Sequence, residues 1–179
     1  YAEIWMEGGS PLAVYTRRLA QAVQQRMPQA RVVHAMRYGT PSIPEVFAQL
    51  RSERIGRVVV LPLYPQYSTT TTASVDDLVR RTRSMPTVSI RDYHRDPRWV
   101  AAIADSIRAH WAAHGRGDRL VFSFHGLPQR LVDAGDPYAA QCEAGVAAIA
   151  QALALQPGDY RLTYQSRFGR EQWLAAIHP

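Results

Sequence analysis

Apolar residues recur along this chain with two spacings that alternate. One is helical. Leu12, Tyr15, Leu19 and Val23 lie three or four residues apart, as do Ile43, Val46, Phe47 and Leu50, then Val100, Ile103, Ile107 and Trp111, then Cys142, Val146, Ile149 and Leu153. Each set predicts a helix with one apolar stripe that packs on something flat. Start signals precede these sets. Ser10-Pro11, Asp96-Pro97 and Asp136-Pro137 each put a capping oxygen before a proline suited to the first helical turn, and Ser42 with Glu45 reads as a capping box. A weaker helix is expected after Ser74 and another over residues 170–177.

The second spacing is that of short, β-branched runs: residues 31–37 (RVVHAMR), 57–63 (RVVVLPL), 87–93 (TVSIRDY), 119–125 (RLVFSFH) and 160–166 (YRLTYQS). Length and composition predict strands. Strand and helix alternate throughout, which predicts the α/β class with parallel strands and flanking helices. The chain opens on a helix with no strand before it, lacks an initial methionine and stops soon after its last expected helix begins. It is therefore expected to be a piece of a longer protein, with the first strand missing. Arg116-Gly117-Asp118, after a long helix, is the expected boundary between residues 1–115 and residues 116–179.

Composition narrows the classes. With 46% hydrophobic and 20% charged residues in 179, this is a folded chain rather than a disordered or low-complexity one. The longest strongly apolar run, residues 58–63, is far too short to span a bilayer. A single cysteine excludes a disulfide framework or a cysteine-cluster metal site built from this chain alone, and a reducing cytoplasm fits best. The net charge is +6, and all 21 cations are arginine. They are scattered and never run beyond pairs, so no nucleic-acid stripe is expected, whereas a small anionic ligand fits.

In parallel α/β sheets ligands bind beyond the carboxyl ends of the strands, so the residues just after each strand carry the chemistry. Those tips are Arg37-Tyr38-Gly39-Thr40-Pro41, then Tyr64-Pro65-Gln66-Tyr67-Ser68 with the hydroxyl run after it, then His125-Gly126-Leu127-Pro128, then Gln165-Ser166-Arg167-Phe168-Gly169. Aromatic faces, arginine and hydroxyls suit a large, flat, anionic ligand. His125 adds an imidazole that can act either as metal ligand or as proton acceptor near neutral pH, or serve simply as a hydrogen-bonded rim residue. No glycine-rich phosphate loop and no GxSxG elbow follows any strand.

Six segments together resemble the ferrochelatase family, in its bacterial form: Gly8-Gly9-Ser10-Pro11-Leu12, Met36-Arg37-Tyr38-Gly39, Leu61-Pro62-Leu63-Tyr64-Pro65-Gln66-Tyr67-Ser68, Phe122-Ser123-Phe124-His125-Gly126-Leu127-Pro128, Gly135-Asp136-Pro137-Tyr138 and Tyr164-Gln165-Ser166-Arg167-Phe168-Gly169. They occur in family order and span nearly the whole chain. The resemblance implies a chelatase-like fold of two similar Rossmann-like lobes, most of the first and the beginning of the second lying here. It implies insertion of ferrous iron (Fe2+) into protoporphyrin IX to give protohaem, with iron as substrate and no organic cofactor. His125 would be metal contact and proton acceptor, and Ser10, Arg37, Tyr38, Tyr64 and Ser68 would meet the porphyrin or its propionates. A cobalt or other tetrapyrrole chelatase, or a non-catalytic porphyrin-binding module, is the alternative. Peripheral membrane contact and the porphyrin's carboxylation pattern stay open. Two departures stand out. The family's partner glutamate would fall beyond Pro179, so the chain alone is expected to be inactive, and Ala175-Ala176 follow Trp173-Leu174 where the family tends to carry a proline.

Overall fold

The structure is a computed structural model and describes residues 5–82, 85–167 and 169–174. In chain order the elements are α1 (Pro11–Arg26), α2 (Ile43–Ser52), β1 (Val58–Val60), α3 (Thr72–Thr82), β2 (Thr87–Ser89), α4 (Pro97–His114), β3 (Leu120–His125), α5 (Gln129–Asp133), α6 (Tyr138–Ala152) and β4 (Tyr160–Gln165). Packing divides the chain into two units. One holds residues 1–60 and 75–89, the other residues 61–74 and 90–179. This division departs from the expected boundary at residues 116–118. Val100 and Ala104 of α4 pack with Ile149 and Leu153 near the end of α6, so residues 90–115 share a core with the C-terminal part.

In the first unit β1 and β2 pair in parallel, Val58 opposite Thr87 and Val60 opposite Ser89. Val58 and Val60 pack with Ile43 and Phe47 of α2 and with Val75 and Val79 of α3. Alternation turns Val59 and Val88 to the opposite, exposed face. The capping box holds: Glu45 N donates to Ser42 Oγ (3.4 Å) and Ser42 N donates to Glu45 Oε2 (2.7 Å). Both backbone and side-chain bonds from Ser42 hold the Glu45 carboxyl below its ordinary range.

Two expectations fail here. Residues 31–35 join no ladder among the described residues, and in this run only Met36 makes a bridge, to Ser42. A strand needs a partner as well as a propensity. In place of a ladder, the Gln24 side chain brackets the run, accepting from Val32 N (2.8 Å) and donating to the Ala30 carbonyl (2.8 Å). The second failure is the α1 stripe. Ser10 caps the helix as expected, accepting from Ala13 N (3.3 Å), but Leu12 (68%), Tyr15 (58%) and Leu19 (48%) are exposed and Val14 is the buried residue.

In the second unit β3 and β4 form a parallel six-residue ladder, from Leu120 opposite Tyr160 to His125 opposite Gln165. Leu120, Phe122 and Phe124 turn toward the α4 and α6 clusters, whereas Val121, Ser123 and His125 lie on the other face. Cys142, Val146 and Ile149 of α6 are buried, as their spacing predicts. Burial pushes the Cys142 thiol up to about 12, so it is a packed apolar group rather than a reactive one. Gly145 lets α6 approach closely, because a Cβ there would lie 3.3 Å from the His94 carbonyl. The helix expected over residues 170–177 is absent at 170–174, where Gln129 N donates to the Gln172 carbonyl (2.9 Å) and Leu174 N to the Leu127 carbonyl (2.8 Å). Residues 175–177 lie outside the described residues, as does Phe168.

Candidate functional site

His125 ends β3 on its exposed face, so the strand itself delivers the imidazole to the sheet's carboxyl edge. Its Nδ1 lies 2.7 Å from the Gly126 carbonyl oxygen. A carbonyl only accepts, so Nδ1 is the donor of this bond. The ring sits edge-on to Trp173, with centroids 6.4 Å apart. Gly126 fixes the tip. Its N–H donates to the Gln165 carbonyl (2.6 Å), and a Cβ at this position would stand 2.9 Å from the Ser166 carbonyl oxygen. Only glycine lets the ends of β3 and β4 close together there.

In the same unit, residues 64–70 form a loop tied down at several points. The Pro65 carbonyl accepts from Tyr93 N (2.9 Å), and Tyr67 N donates to Gln141 Oε1 of α6 (2.7 Å). Arg91 stacks over the Tyr67 ring at 4.2 Å. Ser68 is fully buried: its Oγ donates to Asp136 Oδ2 (3.0 Å), lies 2.9 Å from Thr70 Oγ1 and accepts from Thr70 N (3.1 Å). Its one proton and both lone pairs are in use. Ser68, expected to meet the porphyrin or its propionates, faces inward in this structure and holds the loop. Tyr64, by contrast, is exposed at the start of the loop.

In the sequence the position of Asp136 before Pro137 reads as a helix cap. Its Oδ1 does accept from Tyr138 N (3.0 Å), but its Oδ2 also accepts from Thr69 N (2.7 Å) and Thr69 Oγ1 (2.7 Å) besides Ser68. Burial alone would raise this carboxyl. The bonds from Thr69, Tyr138 and Ser68 outweigh it and hold the group below its ordinary range. The partners lie some 68 positions away, so no local pattern could reveal them.

In the first unit, Arg37 and Tyr38 form a stacked pair, the guanidinium 4.5 Å from the ring centroid. Their loop is closed by Met36 N donating to the Pro41 carbonyl (2.8 Å) and turns through Gly39 at a φ of 97°. Tyr38 is 77% exposed. Ser10, Arg37 and Tyr38 thus belong to one unit, and Tyr64, Ser68 and His125 to the other. Among the described residues, no group of three or more His, Cys, Asp or Glu side chains is placed to hold a metal ion.

The class that the fold defines is α/β with parallel strand pairs and flanking helices, and the second unit carries His125 at a strand tip and an anchored aromatic loop. Comparison with known proteins makes this specific. The family model described as ferrochelatase matches residues 1–177. Curated ferrochelatases from Xanthomonas axonopodis pv. citri and Xylella fastidiosa strain M12 are 57% and 53% identical over 178 residues. One from Escherichia coli O9:H4 is 48% identical over 179 residues. Each match covers 97% of this chain and 56% of the relative. The chain belongs to the ferrochelatase family, and it spans little more than half the length of these curated relatives.

Proposed function

We propose that the protein carrying this chain inserts Fe2+ into protoporphyrin IX to give protohaem, a lyase step of haem biosynthesis, with His125 as metal contact and proton acceptor. The observation that carries this reading is the place of His125, which ends β3 at the carboxyl edge of a parallel ladder with its Nδ1 bonded to the Gly126 carbonyl. Insertion removes two pyrrole protons and strips water from the ion. The product is the metalloporphyrin plus two protons. A neutral imidazole serves either step by the same lone pair, binding the ion or accepting a proton in turn.

The exposed Tyr38 and Tyr64 rings offer flat apolar area to the macrocycle, and the Arg37 guanidinium suits a propionate. Ser10 caps α1 with its oxygen and has its hydroxyl proton to donate to the same ligand. Ser68 contributes by holding the Tyr64 loop. Iron is substrate, and no organic cofactor is assigned. Desolvating a dication calls for negative charge, so a carboxylate partner for His125 is assigned to sequence outside these 179 residues. The lone cysteine, buried as a thiol, fits a cytoplasmic setting, and no helix among the described residues is long and apolar enough to cross a membrane.

The test uses a protein of the relatives' full length. His125→Ala is expected to abolish metalloporphyrin formation, followed by absorbance, while porphyrin still quenches tryptophan fluorescence with near wild-type affinity. Retained turnover in that variant would overturn the role of His125. Porphyrin binding without metal insertion by the wild type, offered Fe2+ and Co2+ separately, would point to a non-catalytic binding module.

A further inference from the structure

The turn at residues 135–138 makes two attachments within four residues, to segments that lie far from each other in sequence. Asp136 reaches back to Ser68 and Thr69 in the loop that carries Tyr64, with three donors converging on Oδ2. Two residues on, the Tyr138 hydroxyl donates to the carbonyl of His125 itself (3.1 Å). Gly135, at a φ of 94°, makes the turn, and Asp136 N closes it by donating to the Leu131 carbonyl (2.9 Å). Asp136 is 6% exposed. A buried carboxylate that accepts four hydrogen bonds is a costly group to place, and a cap for one helix needs only one of them.

We propose that the Gly135–Tyr138 turn is a bracket that sets His125 against the Tyr64 loop, with Asp136 and Tyr138 as positioning residues for porphyrin metallation. The proposal rests on the reading of His125 above. Neither residue need touch substrate. The bracket acts because insertion requires a fixed distance between the wall that holds the ring and the imidazole that meets its centre. An error on the order of 1 Å there is enough to cost about 100-fold in rate.

The chemistry of the carboxylate supplies an isosteric test. In Asp136→Asn, one face of the group becomes an NH2. Either orientation of the amide then opposes donor to donor: against Tyr138 N–H, or against Thr69 N–H on the other side. Volume is kept and one side of the bracket is lost. Tyr138→Phe removes the other side by deleting a single hydroxyl.

Both variants are made in a protein of the relatives' full length, beside His125→Ala, and kcat is expressed per folded molecule from circular dichroism. Asp136→Asn is expected to lower kcat for Fe2+ insertion by about 10- to 100-fold, and Tyr138→Phe by about 3- to 10-fold, a scale set by one lost positioning contact. The porphyrin KM and the affinity read by fluorescence quenching should stay within about threefold of wild type, because the ring's own contacts remain. Thr69→Ser, which keeps the hydroxyl, should behave as wild type. Wild-type kcat in either folded variant would overturn the bracket, as would a change in porphyrin KM alone. Should Asp136→Asn fail to fold, Tyr138→Phe decides the matter. An active His125→Ala variant would instead overturn the reading beneath the proposal, an outcome visible separately from the other two variants.

Discussion

The β3–β4 region and the region around residues 31–37 were equally plain as strand patterns, yet they fold differently. RLVFSFH and YRLTYQS form a continuous parallel ladder whose inner face is covered by α4 and α6. RVVHAMR joins no ladder, is held by the side chain of Gln24, and the α1 stripe before it stands exposed. The difference teaches that alternation and β-branching describe what a segment is ready to do, while the ladder itself belongs to a pair. The imidazole sits at the tip of the fully paired strand, where its orientation is fixed.

The largest effect that sharpens this contrast is expected from Ile149→Ala, in the cluster of Val100, Ala104 and Leu153. Loss of a buried isoleucine there should cost about 2–5 kcal/mol, measured by urea unfolding. A pH effect comes next. The Asp136 carboxyl is held below its ordinary value in the folded state, so the folded state binds its proton less readily than the unfolded chain. Its contribution is therefore present above about pH 4, where unfolded aspartate is ionised, and is lost as the pH falls through the folded value. Thermal melts from pH 6 down to pH 3 should show this loss, and Asp136→Asn should flatten that limb of the profile. The smallest effect is expected from Leu12→Ala on the exposed α1 stripe, within about 0.5 kcal/mol of wild type. A cost of about 2 kcal/mol or more for Leu12→Ala, the range of a buried leucine, would break the comparison.

Much of the fold was legible. Caps at Ser10, Ser42 and Asp96, the α2 and α6 stripes and the β3 and β4 runs follow from residue types a few positions apart. His125 was legible too, as an imidazole closing an apolar strand. What escaped were facts of tertiary contact. The inward turn of Ser68, the second set of bonds on Asp136 and the Gly126 approach to Ser166 each join residues about 40 or more positions apart, where sequence spacing carries no geometric information. Ser68 is the instructive case. A hydroxyl near a tyrosine at a strand tip looks like a ligand contact, and only the structure shows the bonds by which it holds the loop.

The role proposed for His125 depends on Nδ1 being the nitrogen bonded to the Gly126 carbonyl. Long-range 1H–15N correlation of the imidazole nitrogens, recorded above the pH at which the ring is protonated, reads the tautomer directly, with His125→Gln identifying the resonances. The account predicts a protonated Nδ1 and a lone pair on Nε2, with Fe2+ or a diamagnetic Zn2+ surrogate perturbing the Nε2 signal first. A ring protonated at Nε2, with Nδ1 bearing the lone pair, would contradict it.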